Sequence, residues 1–182
     1  MPCALTKGFT LDCKDSLGGV KSVRLTTLAE YLVLDPTVVG GEIDAWGSAS
    51  TVFFKYDQLK ETSSMTETIN ASAQNGTVYY TPEVTIVMSK LDATKRNEIK
   101  LLAQNRLVAI VETNDEVPAY FVVGVTTGLE VSAGTSASGT AYADLQGYSI
   151  TLSGMEAAPM LQVDPTTSVA LVAAVTSTVT FP

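Results

Sequence analysis

Asn75-Gly76 lies between two runs that alternate in polarity with a period of two, and no other feature of the chain constrains its fold as much. Both residues tolerate the positive φ that a two-residue type I′ turn requires, so the pair predicts a hairpin. After it, Val78, Tyr80, Val84, Ile86 and Met88 fall on one strand face, with Tyr79, Thr81, Glu83 and Thr85 on the other. Before it, over residues 61–70, Thr62, Ser64, Thr66, Thr68 and Asn70 share a face opposite Glu61, Met65, Glu67 and Ile69. A strand with a short polar group at every second position need not lie on a core, and can line water instead.

The remaining segments extend the β reading. Residues 50–56 are β-branched and aromatic, and residues 107–112 and 119–125 are apolar on both faces, as in central strands. Asn114-Asp115 forms the turn between the last two, with Pro118 at a strand start where its missing donor does no harm. Tyr148, Ile150 and Leu152 alternate with Ser149, Thr151 and Ser153 in a last clear strand. Residues 8–34 read as a strand pair around Gly18-Gly19 followed by an irregular apolar stretch. One helix is expected over 93–105, with Asp92 as N-cap and Ile99, Leu102 and Ala103 as its apolar stripe. Residues 35–50, containing Pro36, Gly40, Gly41 and Gly47, read as a loop that serves as a contact arm around Trp46. The small residues of 126–146 read as a mobile loop.

These elements predict a mostly β chain with a minor α component: a single β-sandwich or barrel-like domain over 1–165 with an N-terminal arm, the 35–50 loop, one flanking helix and a long hairpin. An uncharged arm over 166–182 would follow it. In that arm Val169, Leu171, Val175 and Val179 are spaced mainly by small residues. A β-prone segment without charge aggregates unless it is paired, so a neighbouring subunit or the chain's own sheet is expected to cover it.

The search for chemistry returns little. The sequence contains no histidine, which removes His-dependent triads, the common metal sites and the usual neutral-pH acid-base group. No phosphate loop or dinucleotide fingerprint occurs. Cys3 and Cys13 fit neither a zinc ligand set nor a disulfide framework, and read as reduced thiols. Asp12 and Asp15 lack the further oxygen ligands of a calcium loop. Residues 107–182 carry seven acidic and no basic residues of a total net charge of −8, which argues against gripping nucleic acid. With no signal-like N-terminus and no long apolar run, the chain reads as soluble, made in the cytoplasm and without a membrane partner. The expectation is a non-enzymatic protein with no metal and no cofactor.

Read in order, the segments around Asn75-Gly76, the helix, the strands 107–112 and 119–125, the loop with Gly139 and Asp144, and the run 147–156 ending Ser153-Gly154-Met155-Glu156 resemble the tail tube, or major tail, proteins of tailed bacteriophages. The resemblance covers about residues 50–160. It implies a virion structural protein of the tail, made in the host cytoplasm, whose copies form hexameric rings that stack into a tube. A sheet from each copy faces the lumen, and hairpins of adjacent copies join into one barrel. DNA would pass through a negatively lined conduit without specific binding, while other virion proteins meet the tube ends. The alternative is another virion module: a tail terminator, a head-tail connector or a capsid decoration protein.

On this reading Glu61, Glu67, Thr62, Thr66 and Thr68 are the expected lumen residues, with the Glu and Thr faces exchanged by a one-residue register error. Trp46, Val169, Leu171, Val175 and Val179 are the expected self-association residues.

Overall fold

The computed structural model describes residues 7–11, 16–47, 52–115, 117–164 and the strand 176–177. Cys3, Cys13, Asp12, Asp15, Val169, Leu171, Val175 and Val179 lie outside the described residues.

The chain is mostly β, with two helices and two sheets among the described residues. The larger sheet has eight strands. Its centre is β1 (Val20–Thr27) against β7 (Leu107–Thr113), antiparallel over Thr27↔Leu107 to Val20↔Thr113 with one register shift. On one side follow β4 (Phe53–Asp57) and β12 (Thr176–Ser177), the latter parallel to Phe53 and Phe54. On the other side follow β8 (Tyr120–Val123), β11 (Leu161–Val163), β3 (Glu42–Ala45) and β2 (Thr37–Val39). Six of the seven residues of β7 are buried, as an apolar run covered on both faces requires.

The smaller sheet holds β5 (Ser64–Ser72), β6 (Thr77–Ser89), β10 (Gly147–Ser153) and β9 (Glu130–Ala137), in the order β5-β6-β10-β9 with every pairing antiparallel. Val84, Ile86, Ile150 and Leu152 of this sheet meet Val23, Leu25, Ala109 and Val111 of the larger one in a single apolar cluster. Burying such side chains is worth about 1.5–3 kcal/mol each and is what holds the sheets together. A second cluster covers the far face of the larger sheet, where Tyr31, Leu34, Ile43, Phe53 and Tyr120 are buried with Val108 and Ile110. The sheets also touch through backbone at one corner: Leu107 and Leu129 exchange both N–H···O bonds, at 2.8 and 2.7 Å.

Several expectations change. Two helices form, not one. The stretch read as irregular holds α1 (Leu28–Leu34), which begins where the Thr27 hydroxyl accepts from the Glu30 amide at 3.3 Å. The second helix, α2 (Ala93–Leu102), stops three residues earlier than expected. Asp92 holds its N-cap position without a side-chain cap bond, and Ala103 lies exposed at the C-cap. Among the described residues of 8–34 the one strand is β1, where a strand pair was expected.

The 35–50 segment is not a plain loop. Gly40 and Gly41, at φ 66° and 96°, turn β2 back on β3. Residues 126–146 include the eight-residue strand β9. Asn75-Gly76 does join two antiparallel strands, but the turn spans the four residues between Ser72 and Thr77. Only Gly76, at φ 64°, is left-handed there, so the turn is not type I′.

Candidate functional site

The smaller sheet has one face on the core and one turned away from it, and the outward face is where the sequence pattern pointed. Cross-strand partners place Thr66 beside Glu83, Thr68 beside Thr81, and Thr85 beside both Ser64 and Thr151. On β10 the outward positions are Ser149, Thr151 and Ser153, continuing to Thr135 of β9. The hydroxyls of Thr85 and Thr151 stand 3.5 Å apart, and the Asn70 amide donates to the Thr81 hydroxyl at 2.9 Å. The result is a carpet of hydroxyl groups across four strands. The strands themselves contain Glu67, Glu83 and Glu130 and no lysine or arginine. Glu83 and Glu130 fall on the outward face, and Glu130 pairs with Arg106 at 3.2 Å.

Thr66 and Thr68 are exposed on this face, where the alternation put them. Glu61 and Thr62 are not on the strand. Glu61 takes a left-handed φ of 61°, and the Thr62 hydroxyl donates to the Leu59 carbonyl at 2.7 Å, so both belong to the turn before β5. Gln58 in the same connection accepts from the Ser63 hydroxyl at 2.6 Å and from the Val87 amide at 2.9 Å, closing the edge of β6 beyond the start of β5. Glu67 lies on the inner face with Met65, opposite Pro82, and its carboxylate accepts from the Met160 amide at 2.8 Å. The Glu and Thr faces are therefore opposite, as expected, with the threonines outward.

Trp46 is half-buried in the second cluster, its ring 6.5 Å from both Tyr31 and Phe53, so it packs within its own chain. Glu83, Thr85, Ser149 and Thr151 complete the outward face. The alternation on β6 and β10 sets them opposite the apolar half of each strand, although none of them was expected as a lumen residue.

The two edge strands are the second feature of the sheet. Among the described residues, no strand pairs with the outer edge of β5 or with that of β9 along 130–137. Both strands are exposed along most of their length.

The shifted ionisable groups lie off this face. Burial pushes the Glu112 carboxyl up, but hydrogen bonds from Lys21, Ser22 and Arg24 outweigh it and hold the pKa below the usual range. Its ion pairs with Lys21 and Arg24 measure 2.7 and 3.0 Å. Burial, aided by Glu98, raises the Tyr56 phenol to about 12. At the exposed Asp144, hydrogen bonds from the Ala141 and Thr140 amides lower the pKa and tie down the turn leading into β10. Among the described residues no group of three or more Cys, Asp or Glu is placed to hold a metal, and no helix is long and apolar enough to cross a membrane. No family model, no curated protein and no solved structure matches the chain.

Proposed function

We propose that the protein is a tail tube subunit of a tailed bacteriophage, a non-enzymatic building block whose copies join through the smaller sheet into stacked rings. The observation that carries this reading is that two edges, β5 and β9, of one sheet of four antiparallel strands pair with no strand among the described residues. With four strands the outermost two run in opposite directions. When copies are related by rotation about a ring axis, β9 of one copy therefore meets β5 of the next antiparallel, and the alternation continues unbroken round the ring. A sheet closed this way has no open edges, which removes the liability that exposed strand edges carry.

The outward face supports the same reading. On closure it lines the inside of the barrel with hydroxyl groups and glutamates, a surface that stays wet and repels phosphate. Six copies of a four-stranded sheet place twenty-four strands in the wall. At a strand spacing of about 4.8 Å and a tilt of about 40°, the wall is roughly 50 Å across, wide enough to pass a double helix. The two layers, read as a β-sandwich, supply the rigid body behind that wall, with α2 flanking it.

Electron microscopy of the purified protein at rising concentration tests the proposal, because contacts that propagate give filaments and contacts that close give particles of fixed size. Hollow tubes with a regular axial repeat are the expected result. Discrete rings that never extend would transfer the assignment to a terminator, connector or decoration protein. A persistent monomer would overturn self-assembly.

A further inference from the structure

A cleft of about 320 Å³ opens between α2, α1 and the β1–β4 strands, with Leu25, Phe54, Tyr56, Leu101, Leu102 and Leu107 in its lining. It is open: Phe54 is 45% and Leu101 52% exposed, although both are large apolar side chains in regular elements. The same chain carries the complementary feature. In the N-terminal segment 7–11, Phe9 is 94% and Leu11 99% exposed, so the chain's own body covers neither. Two apolar side chains two residues apart point the same way in extended backbone, which suits insertion into a single cleft.

Charge agrees with this match. Lys7 is the only charged residue of the segment 7–11. The cleft margin holds Glu98 and also Glu30, whose carboxylate already accepts from the Thr26 hydroxyl at 2.8 Å, while the lysine found there, Lys55, is paired with Asp57 at 2.7 Å. We propose that the cleft beside α2 is the docking site for Phe9 and Leu11 of a second copy of this chain. This inference rests on the self-assembly reading above and adds a contact distinct from the strand seam. An uncovered knob and an uncovered socket at different places on one molecule make a heterologous contact, the kind that builds rings and stacks.

The test replaces Phe9 by the photo-crosslinker p-benzoylphenylalanine in the full chain and mixes isotopically heavy and light protein under assembling conditions. Mass spectrometry then maps the crosslinks after irradiation. The expected result is heavy-to-light crosslinks at Phe54, Leu101 or their cleft neighbours, with the yield falling at least tenfold in Leu101→Glu protein that keeps its circular dichroism spectrum. Crosslinks confined to a single chain, or landing outside the cleft while tubes still form, would overturn the docking site and leave the tube reading intact. Protein that shows no association under any condition would overturn both.

Discussion

One carboxylate oxygen of Glu156 accepts from the Thr127 amide at 3.0 Å and lies 3.1 Å from the Thr127 hydroxyl, whose hydrogen it shares with the nearer Met155 carbonyl at 2.6 Å, while its other oxygen takes the Thr126 amide at 3.0 Å. Glu156 is buried and also exchanges both backbone bonds with Tyr80, so it pins the 125–128 connection onto the end of β6. The Glu156→Gln variant can satisfy only part of this set. It is expected to lose about 2 kcal/mol of stability in urea unfolding. Hydrogen exchange at the Thr126 and Thr127 amides should accelerate as well; unchanged exchange at both would show that the carboxylate is not what orders the connection.

Glu112 makes stability depend on acid. Its folded pKa lies below the ordinary value of 4.5, because the hydrogen bonds from Lys21, Ser22 and Arg24 outweigh the opposing effect of burial. A folded value below the unfolded one stabilises fully above about pH 4.5, and the contribution is lost as pH falls through the folded value. The Glu112→Gln variant leaves Arg24 buried without its counter-charge and is expected to lose about 3 kcal/mol at pH 7. The deficit should shrink steadily in urea titrations from pH 5 to pH 3. A deficit that stays constant over that range would contradict the account.

The proposed seam is open to a local test on β9. Ser136 is exposed on that edge strand, so Ser136→Lys should cost under about 0.5 kcal/mol in the isolated chain. A lysine on an edge discourages strand addition. The variant is therefore expected to stay monomeric at concentrations where the parent protein forms tubes, as sedimentation velocity would report. Normal tubes from a variant carrying lysine at both Ser132 and Ser136 would remove β9 from the seam.

The proposed lumen is open to a second test. Thr66→Arg together with Thr68→Arg places two cations on an exposed hydroxyl face whose strands have none. Tubes of this variant should retain DNA on a filter at low salt and release it as salt rises, whereas parent tubes should not retain it. Equal retention by both would place these threonines away from any DNA path.

Much of the β architecture was legible because it rests on side-chain pattern. The apolar run of β7, and the alternation that buries Tyr148, Ile150 and Leu152, name their own burial. What was missed is held by other means. Beyond Glu130 and Val131, β9 is built of Ser, Ala, Gly and Thr and is almost wholly exposed, so its place is set by backbone pairing to β10, which composition does not announce. α1 is only seven residues long and apolar except at Glu30, so no polar face marks it as a helix, but Thr27 and Glu30 stand in capping-box spacing, a signal that was available. Glu61 looked like a strand residue by alternation, yet the strand begins at Ser64 because the chain turns left-handed at Glu61. The tip of the β5–β6 pair, where Ile69 and Val78 are exposed, kept its apolar pattern without a core beneath it.

The exchange of two backbone bonds between Leu107 and Leu129 acquires a mechanical meaning once β9 is considered as a handle. Side chains packed face to face slide under shear, whereas hydrogen bonds resist it. Tension applied along β9 reaches Leu129 at its start, crosses to Leu107, and is taken up by β7 and its antiparallel partner β1, the most deeply buried pair of strands. The corner thus ties the smaller sheet to the larger one, and strain on the smaller sheet is carried through the backbone instead of being left to the apolar layer.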